Sequence, residues 1–239
     1  MKRAQPPLIF DFSVYAIGIA IGFFLILVGA WADMEASAYG FPRLANAGLG
    51  GLRCPILMTS GEAGMISLNV SNPTDAQISP SIKALVSTAL LPEEFLEHIQ
   101  LTPGESKRLE WRVDIRNIDL ERFIFAKVLL YSAYPLPSQE ATCGIFIIDL
   151  PGSGRMLVPV LTSLSLIGIG WGLYRIKSSH ASKDMSRKYM GSMTFLALVI
   201  LSGLLLSFTG GWILSLLVLV VALLLIVILA SSVLIAKSR

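Results

Sequence analysis

The sequence predicts a membrane protein of the α+β class: four transmembrane helices, with one extracytoplasmic immunoglobulin-like β-sandwich inserted between the first and the second. Three observations carry this prediction. Apolar residues make up 54% of the chain and charged residues only 15%, and the mean hydropathy is strongly positive, a balance that a soluble domain of this length does not show. The apolar excess is confined to four segments, each long enough to cross the roughly 30 Å of hydrocarbon in a bilayer. Between the first and second of these lies Cys54 to Cys143, where apolar and polar residues alternate and Pro, Gly, Asn and Asp punctuate the runs, as half-buried strands and their turns do.

The first span covers about Leu8 to Ala32, after Met1-Lys2-Arg3. Ala30-Trp31-Ala32 also fits a small-x-small signal cleavage site, but the apolar run is longer than a usual signal core and favours an uncleaved anchor. Asp11 lies near one end of this span, where a short carboxylate can stay in the headgroup layer; a proton-relay role is the alternative. From Asp33 to Gly51 the chain reads as a linker rich in Gly and Ala, with Phe41-Pro42 and Gly48-Leu49-Gly50-Gly51 inside it, either a flexible tether or a segment packed along the membrane surface.

Within the sandwich, Met65 to Val70 points Ile66, Leu68 and Val70 to one face and Ser67 and Asn69 to the other. Asn72-Pro73-Thr74-Asp75 makes a turn. A second strand runs from Ile78 to Ser87, with Pro80 placing its start at an edge or bulge. Pro92 to Glu97 reads as one helical turn, Ile99 to Thr102 as a third short strand, and Pro103-Gly104-Glu105-Ser106 as a turn. Lys107 to Asp114 alternates again, with Leu109, Trp111 and Val113 on one face. Phe123 to Tyr134 is long and mostly apolar, which predicts a central strand ended by Pro135-Leu136-Pro137. Ala141 to Leu150 closes the set. The turns Asn72-Pro73-Thr74-Asp75 and Pro103-Gly104-Glu105-Ser106, set around these strands, resemble those of immunoglobulin-like domains that bacteria and archaea attach to envelope proteins. That resemblance covers residues 54–150 and implies a binding or spacing module with no chemistry of its own.

Cys54 and Cys143 are the only cysteines and bracket this domain. On the oxidising side of a membrane one bridge between the first and last strands is the simplest expectation, with two free buried thiols as the alternative. A closed zinc site wants four ligands, and His98 is the domain's only histidine, so no metal is expected.

After the tight hinge Pro151-Gly152-Ser153-Gly154, the second span runs from Met156 to Tyr174. A basic loop, Arg175 to Tyr189, separates it from the third span, Met190 to Phe208. Thr209-Gly210-Gly211 turns directly into the fourth, Trp212 to Ala236, so the last two spans form an antiparallel hairpin. The organisation is thus 1–32 cytoplasmic N-terminus and first helix, 33–53 linker, 54–150 sandwich, 151–174 hinge and second helix, 175–189 cytoplasmic loop and 190–239 helical hairpin. With four spans, Lys2, Arg3, Arg175, Lys177, Lys183, Arg187, Lys188, Lys237 and Arg239 all fall on one side, which the positive-inside bias makes the cytoplasm. The expected location is the plasma (inner) membrane, with both termini cytoplasmic and residues 33–155 outside. Trp31 and Trp212 then sit at the outer interface, and Trp171 with Tyr174 at the inner one.

Small residues mark where helices can approach closely. Gly18 and Gly22 in the first span and Gly168 and Gly172 in the second are each spaced by four, which predicts that these two helices pair. The fourth span is almost entirely Leu, Val and Ile and is expected to face lipid or the apolar flank of another subunit, with Ala222 and Ala230 as the small positions at which it would seat against a partner.

The chain shows no nucleotide-binding glycine loop, no metal-ligand spacing, no haem attachment pair and no cofactor motif. The spans have no charge near their centres, unlike most transporters. Anionic lipid is a better fit than nucleic acid for the basic loop, and Glu93, Glu94 and Glu97 read as a solvated helical face rather than a cation site. Two functions from different classes follow as expectations. The first is a non-catalytic accessory or scaffold subunit of a larger membrane complex, with integral membrane subunits, lipid and an extracytoplasmic protein as its partners. The second is a stand-alone envelope receptor or adhesion module whose sandwich loops bind a protein, peptide or glycan. Four spans favour the first, since a receptor needs only one anchor.

Overall fold

The structure is a computed structural model that describes residues 8–131, 134–178 and 183–238, with side chains for 10–131, 134–178 and 190–231. Two compact units emerge: residues up to Ala30 together with those from Val158 onward, and Trp31–Leu157. Among the described residues the chain order is α1 (Leu8–Ala38), nine strands, then α2 (Gly154–Ser178), α3 (Lys183–Phe208) and α4 (Trp212–Ser238).

The first unit is helical. Its four helices carry apolar stretches long enough to cross a bilayer, at Phe10–Ala38, Gly154–Ser178, Met190–Phe208 and Trp212–Ser231. The core is built from Tyr15, Leu25 and Ile26 of α1, Ile169 of α2, Leu196 and Ile200 of α3, and Leu219 and Ala222 of α4. Helices α1 and α3 are the more buried pair, whereas α2 and α4 keep most of their surface outward. Gly203 of α3 shows how closely these helices approach: a Cβ there would meet the Ile26 side chain of α1 at 2.6 Å and the Val218 side chain of α4 at 2.9 Å, so any larger residue would have to push those side chains aside.

The second unit is a two-sheet sandwich. Nine strands contribute: β1 (Ala47–Gly48), β2 (Leu52–Arg53), β3 (Leu57–Thr59), β4 (Gly64–Ser71), β5 (Ser81–Val86), β6 (Glu93–His98), β7 (Ser106–Val113), β8 (Phe123–Tyr131) and β9 (Gln139–Ile148). The larger sheet has the order β1-β9-β8-β5-β6, with β3 also on β9, and the smaller has the order β2-β4-β7. Alternation decides which side chains face inward. Ile66, Leu68 and Val70 of β4 and Leu109, Trp111 and Val113 of β7 meet Ile82, Ala84 and Val86 of β5 and Ile124, Ala126, Val128 and Leu130 of β8. These are the inward faces predicted for Met65–Val70 and Lys107–Asp114.

Several expectations are corrected. Residues 33–53 are no free linker: α1 continues to Ala38, and Ala47–Gly48 and Leu52–Arg53 pair with β9 and β4. The cause lies in β8, which is buried on both faces, so its outward residues require a cover that the segment after the first span provides. Pro92 to Glu97 forms no helical turn; Glu93–His98 is an edge strand antiparallel to β5. Cross-strand pairing overrides the local helical preference there, with Lys83 Nζ 2.8 Å from Glu94 Oε1 and Asn117 Nδ2 donating to Glu93 at 3.3 Å. Ile99 to Thr102 contributes only an isolated bridge, Leu101 to Ile78, because Pro80 has no amide to extend the ladder. Arg175 to Tyr189 is helical through Ser178 and again from Lys183. The side chains of Lys183, Arg187, Lys188 and Lys237, and Lys2, Arg3 and Arg239 altogether, lie outside the described residues.

Candidate functional site

The predicted helix-packing residues come first. A Cβ at Gly18 would lie 2.7 Å from the Ile169 backbone nitrogen and 2.9 Å from the Ser165 carbonyl oxygen, and one at Gly168 would lie 3.0 Å from Gly18 Cα. Backbone meets backbone at this crossing of α1 and α2. Gly172 gives room to Tyr15, whose Cβ would be 2.6 Å away, while Gly22 faces Ile200 of α3 as well as Ser165 of α2. Two hydrogen bonds fasten the seam, Ser165 Oγ to the Gly18 carbonyl at 2.8 Å and Tyr15 hydroxyl to the Met193 carbonyl at 2.7 Å. Asp11 is not solvated in a headgroup layer; it is buried, with Arg175 Nε 3.4 Å from its Oδ1.

The two alanines of α4 part company. Ala222 is fully buried beside Leu219 in the unit's own core, which corrects its assignment as an outward seat: α4 turns its small face toward α3. Ala230 instead lines an open groove of about 710 Å³, together with Phe12, Ala16 and Ala20 of α1, Met193 and Leu196 of α3 and Ile226 of α4. Sequence reasoning missed Ala16 and Ala20, although Ala16, Ala20 and Phe23 follow one another at the spacing of a helix face.

In the sandwich, Cys54 and Cys143 form a disulfide, with their Cα atoms 6.3 Å apart. Cys143 points into the core from β9 and Cys54 follows β2, so the bridge ties the larger sheet to the smaller. The outward face of the larger sheet carries a feature the sequence did not announce. Trp31 packs on Phe123 and Phe146, with ring centroids 5.5 and 6.1 Å away, and Tyr39 packs on Phe125 at 4.5 Å. Trp31 is therefore part of an aromatic cluster rather than a lone interfacial anchor. Gly144 is required beneath it, because a Cβ would overlap the Ala32 carbonyl, and its amide donates to Asp33 at 3.0 Å. The Tyr39 hydroxyl donates to Asp119. Burial and that carboxylate push the Tyr39 phenol up to about 12, so it stays a neutral donor.

Next to the aromatics, the buried Lys127 ammonium donates to the Pro42 carbonyl at 2.8 Å and pairs with Glu140 at 3.0 Å. Glu140 also accepts the Leu44 and Ala45 amides at 2.8 and 3.0 Å. Burial alone would raise this carboxyl; the Leu44 amide, Lys127 and the Ala45 amide together hold it below its ordinary range. The pair, with its backbone partners, locks residues 42–45 onto the sheet.

One further cavity, about 370 Å³, opens where β4, β8 and β9 come together, lined by Leu49, Gly51, Asn69, Ser71, Leu136 and Gln139 among others. It mixes polar and apolar walls. No group of three or more His, Cys, Asp or Glu among the described residues is placed to hold a metal ion.

No family model matches the chain, and none of the curated proteins does. Among solved structures, a CARDB domain from Pyrococcus furiosus, solved in complex with di-metal ions, is 11% identical, with a TM-score of 0.34, over 45% of this chain and 98% of that one. A cycloisomaltooligosaccharide glucanotransferase from Paenibacillus sp. is 9% identical, with a TM-score of 0.34, over 44% of this chain and 14% of the enzyme. A β-glucuronidase from Bacteroides uniformis is 13% identical, with a TM-score of 0.30, over 36% of this chain and 12% of the enzyme. The chain thus spans under a sixth of either enzyme.

Proposed function

We propose that this protein is a non-catalytic accessory or scaffold subunit of a membrane assembly. It packs α1, α3 and α4 on the helices of an integral membrane partner and presents the sandwich on the extracytoplasmic side of the plasma membrane. The observation that supports this reading is the groove lined by Ala16, Ala20 and Ala230. Small side chains on its floor let a partner backbone come close, and close packing is what drives association between helices already in lipid. The orientation rests on the basic residues counted above and on the disulfide, which an oxidising compartment favours.

Ala230→Phe, or Ala20→Phe in a second variant, fills the groove without entering the unit's own core. Extraction in mild detergent followed by native electrophoresis and mass spectrometry of co-migrating proteins tests the reading. Loss of a defined partner from both variants, with the sandwich still folded, is the expected result. Unchanged co-migration removes the groove from the interface, and a lipid lost in place of a protein assigns it to lipid.

The 370 Å³ cavity supports the second reading, an envelope receptor or adhesion module that takes a peptide, glycan or protein surface at Asn69, Ser71 and Gln139. A wild-type protein that migrates alone, yet captures a ligand that Asn69→Ala and Gln139→Ala release, favours it over the first.

A further inference from the structure

The strand register sorts the sandwich's loops into two ends, and the two ends differ in chemistry. Val86 pairs with Ala126 and Phe123 with Phe146, so the β5–β6 turn, the start of β8 and the finish of β9 share one end. Ser87 Oγ donates to the Asn117 carbonyl at 2.8 Å, which brings the 3-10 turn Ile115–Asn117 to the same end. Four large apolar side chains are exposed there: Leu90 is 93% exposed, Leu91 79%, Ile115 62% and Leu120 57%. Leu120 also holds a φ of 46°, a left-handed conformation that disfavours a bulky residue. The opposite end carries the polar turns Asn72-Pro73-Thr74-Asp75 and Thr102-Pro103-Gly104-Glu105 and the β8–β9 connection, where Tyr134 is exposed but no leucine or isoleucine among the described residues is more than half exposed.

The apolar end is also the end at which the chain leaves for its membrane helices. Residues 149–153 alone separate β9 from α2, a reach of at most about 18 Å. Trp31, on the helix that enters the sandwich, packs on Phe123 and Phe146 at that end as well. Exposed leucines on loop tips cost solubility in water and are favoured in the interfacial layer of a bilayer.

We infer that this end of the sandwich is a lipid-contacting surface, with Leu90 and Leu91 at the tip of the β5–β6 turn entering the headgroup and upper acyl layer of the bilayer that holds α1 to α4. Exposed Arg122, just before β8 at the same end, suits lipid phosphates. The inference rests on the four helices spanning a membrane and is independent of whether a partner subunit exists.

Both native cysteines are bridged, so one introduced thiol reports alone. Leu90→Cys and Leu120→Cys, with Thr74→Cys at the opposite end as the reference, are labelled with an environment-sensitive fluorophore. The full chain, purified without other proteins, is reconstituted into phosphatidylcholine–phosphatidylglycerol vesicles. The expected result is a blue shift at positions 90 and 120 but not at 74, with quenching by lipids that carry a nitroxide near the headgroup. Emission at 90 that matches 74 overturns the inference. A blue shift that lipid nitroxides leave unquenched also overturns it and assigns the tip to protein contact.

Discussion

Lys127 and Glu140 form a buried ion pair, Nζ to Oε1 at 3.0 Å, on the outward face of a sheet whose inward face is the sandwich core. The partners that complete it, Pro42, Leu44 and Ala45, come from the segment between the first helix and the first strand. Breaking one side of such a pair leaves a charge buried and unpaired, at a cost of about 3–5 kcal/mol. Glu140→Ala should therefore lower the sandwich's stability by roughly that amount. Lys127→Met, which leaves Glu140 its two backbone donors, should lower it less. Chemical denaturation of both variants, with hydrogen exchange at Leu44 and Ala45, measures the difference.

The same pair gives a pH dependence. The folded Glu140 carboxyl is held below its ordinary value of 4.5, so the native state binds this proton less readily than the unfolded chain. Its contribution is full above that value and is lost as pH falls through the folded pKa. The stability gap between the wild type and Glu140→Gln should be constant near neutrality and close on acidification below pH 4.5. Thermal midpoints of both proteins across an acid series check this; a gap that widens in acid contradicts it.

The disulfide closes a loop spanning 89 residues, which in the chain-entropy account stabilises the domain by about 4–5 kcal/mol, less any native strain. Cys143→Ser should lower the sandwich's thermal midpoint and expose Cys54 to alkylation under denaturing but non-reducing conditions. Equal alkylation of Cys54 in the wild type would show that no bridge forms.

Glycine spacing in α1 and α2 yields an internally controlled test. Gly18→Ala forces backbone apart at 2.7–2.9 Å contacts, whereas Gly170, two residues from Gly168, has nothing within 4 Å of its Cβ position. Gly18→Ala should cost about 1–3 kcal/mol, the range for overpacking a close contact, and Gly170→Ala should be neutral. Melting in detergent, followed by tryptophan fluorescence, compares the two.

For the orientation, a membrane-impermeant amine reagent applied to intact cells should modify Lys107, which is exposed on β7, and spare Lys183. Labelling of Lys183 alone would reverse the proposed sidedness.

The chain's sequence determined the four apolar spans, the sandwich between the first and second, the inward faces of β4 and β7, and the cysteines available for a bridge. Each of these is written in local composition or in a period of two, and neither needs a neighbour to be read. Tertiary structure decided the rest. Glu93–His98 is a strand because β5 offers an edge to it, not because of its own pattern. Residues 33–53 pack on the sheet because Phe123 and Phe125 on the second face of β8 require a cover and Lys127 beside them requires partners, a demand visible in the length of that apolar run but not in who answers it. Ala222 and Ala230, equivalent by sequence, differ because α3 lies against one and leaves the other beside a groove. The aromatic contacts of Trp31, the Lys127–Glu140 pair and the gathering of Leu90, Leu91, Ile115 and Leu120 at one end are long-range, and only the strand register brings them together.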